Sequence, residues 1–321
     1  MIHSAFLHFH GIGPKAWERL KAQGIHTWEQ ALAAGSDLPV ATKKRSRLLE
    51  ELALCQDALQ RQDLAFLCRT LKPADHWRIA EVNARRLTWF DIETDGTEAS
   101  SQITVIAALH RGQVHSFVRG ENLDDFLDLL NDVELLGSFN GNSFDVPRVL
   151  SGFHIPTMPC PHLDLRWICW HAGWRGGLKH IEREMGLARD SAIASVDGLE
   201  AIALWLRWKR YGDTAARNSL VQYCCADVQG LPWVLDHVVA HAANPMPIAS
   251  SNPLPASTAP APASTAPAPA GSTPISIATP KAGATSAAAL RAVPVSAAEN
   301  LRRENQRRAL RALHRALGTT G

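Results

Sequence analysis

The sequence of 321 residues lacks any apolar run that approaches the roughly 18 residues a membrane span needs, so we expect no transmembrane segment. Its first residues lack a basic region followed by a continuous apolar stretch, which argues against a secretory signal peptide. The six cysteines have no regular spacing, and this excludes a disulfide scaffold. We therefore predict a cytoplasmic protein with reduced thiols and no membrane contact.

Neither sign of charge dominates the chain. The formal net charge is +2, so overall charge indicates no partner, while 46% hydrophobic and 20% charged residues predict a packed soluble core. Charge is concentrated only at the end, where residues 299–321 hold six arginines against two glutamates.

Composition shifts and Pro/Gly positions divide the chain into four parts. The predicted parts are a helical segment (1–75), a mixed α/β domain (84–242), a disordered Pro/Ala/Ser-rich linker (243–298) and a basic amphipathic helix (299–318). In the first part, Pro14 is placed to begin a helix and Thr27 to cap a second one.

The α/β domain begins with strand patterns. "RRLTWFDIE", "SQITVIAAL" and "QVHSFVRG" are separated by short loops, which predicts three antiparallel strands. "NLDDFLDLLND" predicts an amphipathic helix, and "VELLGSFN" a fourth strand. Residues 176–242 are predicted to be mostly helical, with breaks near Gly186, from Ser191 to Gly198 and near Gly212.

Two acids at the end of the first predicted strand indicate a cation. Asp91 and Glu93 are two residues apart, so both side chains lie on one face of the strand. Two adjacent carboxylates repel each other, and oxygen ligands favour Mg²⁺ or Mn²⁺. A solvated strand end remains the alternative for this pair alone.

Two further segments supply acids. Asp145 follows the fourth strand, where it is either a ligand or a helix cap. Tyr223 and Asp227 are four apart, which places both on one face of a helix. Cys224 and Cys225 lie between them, and we expect both thiols to pack on the other side of that helix.

Three segments resemble, in order, the three motifs of the DEDDy branch of 3′–5′ exonucleases: Asp91–Thr94, Asn140–Asp145 and Tyr223–Asp227. "HLDLRW", "LKHIEREMGL" and "YCCADVQGL" are similar to later segments of the YprB-type group of ribonuclease H-like proteins. The resemblance spans roughly 84–240 and implies a mixed sheet of about five strands, the first three antiparallel, with helices on both sides. Asp95 departs from the pattern, where Thr is more usual.

The resemblance implies a two-metal exonuclease that acts on nucleic acid, either DNA or RNA and most simply single-stranded. Asp91 would bridge two Mg²⁺ or Mn²⁺ ions. Glu93 and Asp227 would hold the ion that binds the attacking water, and Asp145 would support the other. Tyr223 would orient the water, with simple helix packing as its alternative role.

The N-terminal sequence "FLHFHGIGPKAWERL" resembles a helix-hairpin-helix motif. Gly11 and Gly13 would let backbone N–H groups approach a phosphate, and Lys15 would add charge. Together with Asn140, these residues are the predicted nucleic-acid contacts. The alternative is a helical pair that only packs on the catalytic domain.

Three alternatives remain open from the sequence. The domain is either an enzyme or a non-catalytic nucleic-acid-binding module. Cys160, His162, Cys169 and His171 offer four zinc ligands, although their spacing is atypical. The basic C-terminal helix is either a solvated, loosely helical tail, which is the default interpretation, or a segment that binds phosphates or a partner protein.

Overall fold

The N-terminal segment is helical, as predicted. The computed structural model describes residues 1–98, 100–189 and 196–243. Thr27 caps its helix through a reciprocal pair with Gln30: each backbone N–H donates to the other's side-chain oxygen, at 3.0 and 3.3 Å. The helices are α1 (Pro14–Ala22), α2 (Trp28–Ala34), α3 (Thr42–Gln60), α4 (Leu64–Thr70) and α5 (His76–Val82).

A five-stranded mixed sheet follows. The strands are β1 (Leu87–Thr94), β2 (Ile103–His110), β3 (Gln113–Val118), β4 (Leu135–Ser138) and β5 (His162–Asp164). Their order is β3-β2-β1-β4-β5, with β2 antiparallel to β1 and β3, and with β4 and β5 parallel to β1. The predicted fold class is thereby confirmed. The carboxyl ends of β1, β4 and β5 meet at one edge, where α/β sheets commonly hold ligands.

The pleat of β1 separates two hydrophobic clusters. Phe90 and Ile92 pack with α6 (Asp125–Leu130) and α7 (Asp145–Gly152) on one face of the sheet. Leu87 and Trp89 pack on the other face, in the cluster that includes the N-terminal helices. That second face is covered by α8 (Leu165–His171), α9 (Leu178–Met185), α10 (Gly198–Tyr211) and α11 (Thr214–Ala243). Because side chains alternate along a strand, Asp91 and Glu93 point toward this helical layer.

One predicted helix differs in its limits. The helix expected at 122–132 begins at Asp125, because the Asn122 side chain bonds Val118 N–H and Ser116 carbonyl of β3, at 2.9 and 3.1 Å. Gly186 and Gly212 end α9 and α10 with φ of +89° and +66°, which confirms those breaks.

The predicted linker and basic helix (243–298 and 299–318) lie outside the described residues, apart from position 243 in α11. Among the described helices, none combines the length and apolar character that a bilayer crossing requires.

Candidate active site

The carboxyl end of β1 carries the first two acids. Asp91 and Glu93 are half-buried on the same face of the strand, as the alternation predicts. One ligand atom from each of Asp91, Glu93 and Cys224 lies within 4.8 Å of the other two. The strand and α11 therefore build one cluster.

Asp145 joins this cluster from α7. The residue is buried, and its Oδ1 accepts the backbone N–H of Ile92 at 3.1 Å. Ile92 lies between Asp91 and Glu93 in β1, so this hydrogen bond holds the Asp145 carboxylate beside the same end of the strand. This contact joins α7 to β1. The alternative interpretation required Asp145 to cap α7, and the structure does not have that contact.

Tyr223 and Asp227 enter from α11. Both residues are buried. Burial raises the pKa values of Asp91 and Glu93, and the negative charge of Asp227 raises them further. Lys179 of α9 lies over the Tyr223 ring, with Nζ 4.6 Å from the ring centroid. The helix face predicted from the four-residue spacing is thus the one that faces β1.

The predicted position of Cys224 is wrong. Its thiol is fully buried against Asp91, with Sγ 3.5 Å from both Oδ2 and the carbonyl oxygen. At about 100° per residue, Cys224 lies only about 60° around the helix from Asp227, so it shares the face that looks at the sheet. Burial and the neighbouring carboxylates raise its thiol pKa well above the usual value, which keeps the thiol protonated.

A buried ionic group, which the sequence did not indicate, holds Asp227. Arg189 pairs with Asp227 through Nη1 and with Glu182 through Nε, the latter at 2.6 Å. Glu182 is 1% exposed. A Cβ on Gly230 would come within 2.5 Å of Glu182 Oε1, so α11 has a glycine where that carboxylate approaches.

Desolvation raises the pKa values of all four acids, and repulsion by the other acids of the site raises those of Asp91 and Glu93 further. The pKa of Asp91 lies well above its usual value, that of Glu93 rises from 4.5 to about 8, and that of Asp145 rises from 3.8 to about 7. Burial also raises the pKa of Asp227, although the Arg189 guanidinium opposes that rise. If all four ionise, Lys179 and an Arg189 that also pairs with Glu182 do not balance them, and a net negative charge remains. A cluster of carboxylate oxygens with a net negative charge fits divalent cations such as Mg²⁺ or Mn²⁺.

We expect the melting temperature of the metal-free protein to fall between pH 5 and pH 8. In this range folded Glu93 and Asp145 keep protons that the unfolded chain has lost, so the free energy of unfolding decreases as pH rises. Mn²⁺ replaces those protons, so it should raise the melting temperature more at pH 8 than at pH 5. Thermal unfolding in EDTA and in MnCl₂ measures both effects, and equal metal shifts at the two pH values would contradict the assignment.

The loop after β4 is shaped by Asp164. Its carboxylate accepts the backbone N–H groups of Asn140 and Asn142, at 2.8 and 3.1 Å. Asn140 has a φ of +69°, and its Oδ1 accepts the Ser143 hydroxyl at 2.8 Å and the Arg166 guanidinium at 2.5 Å. Asn140 thus lies in the loop two residues after β4, with its amide oxygen used within the protein, and its contact with nucleic acid stays a prediction.

The zinc interpretation is wrong for the described residues. His162 contacts Ser138 Oγ through Nε2 at 2.8 Å and Asn142 Oδ1 through Nδ1 at 3.0 Å, so both ring nitrogens are engaged. Cys160 and Cys169 pack in the two separate hydrophobic clusters. Burial lowers the pKa of His162 to about 4, and the ring is neutral near pH 7.

At the N-terminus, Gly11, Gly13 and Lys15 are exposed around the start of α1. Gly11 has a φ of +79°, and a Cβ on this residue would come within 2.8 Å of Lys44 Cδ. A 3-10 helix (Ile2–Ser4) and turns precede this hairpin, where a helix-hairpin-helix motif would have an α-helix. Phosphate binding by these residues stays a prediction.

The sheet order and the acidic edge define an α/β domain of the ribonuclease H-like class. Residues 88–239 match the family model described as the RNase_H superfamily, which assigns this stretch of the chain to that fold. No curated protein matches the chain.

The solved structures that are similar to the chain include a DNA polymerase and a nuclease. The family B DNA polymerase of the hyperthermophilic archaeon Pyrobaculum calidifontis is 18% identical with a TM-score of 0.39, over 48% of this chain and 24% of the polymerase. The chain therefore spans about a quarter of that polymerase. A structure described as the apo form of a nuclease is 20% identical with a TM-score of 0.27, over 54% of this chain and 94% of that one. At these values neither similarity carries an argument about activity.

Proposed function

We propose that the chain is a divalent-metal-dependent 3′–5′ exonuclease that hydrolyses phosphodiester bonds of single-stranded nucleic acid. The observation that carries the proposal is the convergence of four carboxylates and a tyrosine at the carboxyl edge of β1. The match to the RNase_H superfamily supports the nuclease class, and the order of the three motifs supports the DEDDy type.

Asp91, Glu93, Asp145 and Asp227 are the residues that would hold two Mg²⁺ or Mn²⁺ ions. When bound, such ions make hydroxide available near neutral pH and stabilise the leaving 3′ oxygen. The protein itself supplies the fixed positions. Asp145 is held by the Ile92 amide and Asp227 by Arg189, so two of the four carboxylates are oriented before any ligand arrives.

Tyr223 would orient the attacking water. Burial and the nearby carboxylates raise its pKa above the usual 10, so the hydroxyl keeps its proton at neutral pH and serves as a donor. Lys179 lies against the ring and is half-buried, which places a cation where a substrate phosphate would meet the acids. The acids and this cation together position a phosphodiester and its nucleophile.

The alternative is a module that binds nucleic acid without cleaving it. All five predicted catalytic positions are occupied, and Asp91, Asp145 and Asp227 each have a hydrogen-bonding or ionic partner in the protein, which favours catalysis. DNA and RNA substrates, a cytoplasmic location and a partner of the basic C-terminal helix remain predictions.

The experiment uses DNA and RNA single strands labelled at either end. With Mn²⁺ or Mg²⁺, a 3′-labelled strand should release labelled mononucleotide at once, whereas a 5′-labelled strand should shorten stepwise. EDTA should abolish both. Strands that are bound yet stay intact with either metal would reject the enzyme, and early release of a 5′ label would reject the polarity.

A further inference from the structure

One exposed surface beside the site is not used by the proposed chemistry. Trp167 and Trp170 of α8 are 46% and 45% exposed, and their ring centroids are 6.3 Å apart at an interplanar angle of 67°. Arg175 stacks on Trp170, with Cζ 3.9 Å from the ring centroid. We call these three residues the tryptophan platform.

The platform lies in a segment with charge of one sign. Residues 165–181 contain no acid, and they carry Arg166, Arg175 and Lys179 together with two histidines. The first acid after this segment, Glu182, is buried and paired with Arg189. Acids from outside the segment act on two of these cations, Asp164 on Arg166 and Asp227 on Lys179, whereas Arg175 stacks on Trp170. Exposed aromatic rings beside a cation are complementary to a polyanion that has flat groups attached.

Both ends of this cationic segment contact the candidate active site. Arg166, next to Trp167, donates to Asn140 Oδ1 in the loop that leads to Asp145. Lys179 stacks on Tyr223. The segment that carries the platform is therefore joined at both ends to residues of the candidate site, and this connection favours nucleic acid over a membrane surface or a protein.

We propose that the tryptophan platform stacks unpaired bases of a single strand whose 3′ end occupies the acidic site. The inference rests on the proposed function for the identity of the substrate, and it adds the part of the chain that selects unpaired strands. Stacking is tolerant of base identity, because every base has a flat face. We thus expect discrimination against duplexes without strong sequence preference.

The test measures binding of a labelled 12-nucleotide single strand by fluorescence anisotropy in EDTA, where no cleavage occurs. In the full chain, Trp167→Leu and Trp170→Leu should each raise Kd about fivefold or more, the low end of base–aromatic stacking. Leu keeps apolar packing, and Trp→Phe at both positions should recover most of the affinity. Tyr211→Leu, at an exposed aromatic of α10, is the matched control and should leave Kd unchanged.

An abasic strand of equal length separates stacking from charge. Its Kd should differ less than about twofold between wild type and the tryptophan variants, since only the bases stack. Equal losses on abasic and base-containing strands, unchanged Kd in the double Leu variant, or tryptophan-dependent binding to anionic lipid vesicles in place of the strand would overturn the proposal. These outcomes are independent of cleavage: failure of the wild type to release nucleotide with Mn²⁺ would reject the exonuclease, whatever the platform binds.

Discussion

Asp91→Asn is expected to lower exonuclease turnover by at least about 10³-fold while making the metal-free protein more stable at pH 8. Burial raises the pKa of Asp91, and the negative charges of Asp227, Asp145 and Glu93 all raise it further. The amide keeps the shape of the side chain but cannot bind a cation as a carboxylate does. It also removes the cost of keeping a desolvated acid protonated, so the melting temperature in EDTA should rise by roughly 2–4 °C.

The variant is informative because its activity and its metal-free stability are expected to change in opposite directions. A misfolded variant would lose both activity and stability, whereas loss of a ligand lowers activity, raises metal-free stability and abolishes the Mn²⁺-induced rise in melting temperature. Asp95→Asn is the matched control, because Asp95 bonds Arg119 at 2.8 Å and the Gln102 N–H at 2.8 Å in the β1–β2 loop. It should retain activity. Equal trace release by wild type and Asp91→Asn would remove the acidic cluster from catalysis.

Two pairs of site residues were predictable, because the spacing of residues along a strand or a helix determines which side chains share a face. Asp91 and Glu93 share a face since a strand alternates every residue, and Tyr223 and Asp227 share one since a helix returns after four. The mixed sheet of about five strands, the first three antiparallel, was also predictable, but through resemblance rather than through the strands' own patterns. Phe90 and Ile92 mark one face of β1 as buried, yet they do not state which strand lies next to it, so the strand order comes from the structure.

The errors arose where tertiary packing decides. Cys224 could have been placed by the same helical geometry, but its apolar character suggested a packed side remote from the acids, whereas the packed side and the acidic side coincide. Arg189 gave no periodic signal: it follows α9 in a loop, and its partner Asp227 is 38 residues away along the chain. Only the fold reveals that Glu182, which a helical pattern would place in water, is buried beside this arginine.

The Arg189 pair gives the four acids unequal roles. Asp145 receives one backbone N–H, and Asp227 receives a guanidinium, whereas Asp91 contacts the weak thiol donor of Cys224. Asp227 therefore has the strongest support for its ionised form, and Asp91 has the least. In the proposed enzyme, Asp91 depends most on bound cations for its charge, which is the reason that its replacement has the largest expected effect.

Tyr223→Phe is expected to lower the single-turnover cleavage rate by about 10- to 100-fold and to leave strand affinity nearly unchanged. The ring fills a buried position and carries Lys179, and Phe preserves both contacts. Only the hydroxyl is lost, and we propose that it acts on the water and not on the strand. Rapid-quench kinetics in Mn²⁺, with Kd measured separately in EDTA, distinguish the two quantities.

The pH dependence tests whether the hydroxyl orients or deprotonates the water. Because the pKa of Tyr223 is raised, the phenol stays protonated across the working range, so wild type and Tyr223→Phe should have parallel pH–rate profiles. A base would instead produce an ionisation that disappears in the variant. The chain has only one other tyrosine, Tyr211, which is 73% exposed, and Tyr211→Phe should not change the rate. An unchanged rate in Tyr223→Phe as well would leave that side chain with a packing role and would assign orientation of the water to the carboxylates alone.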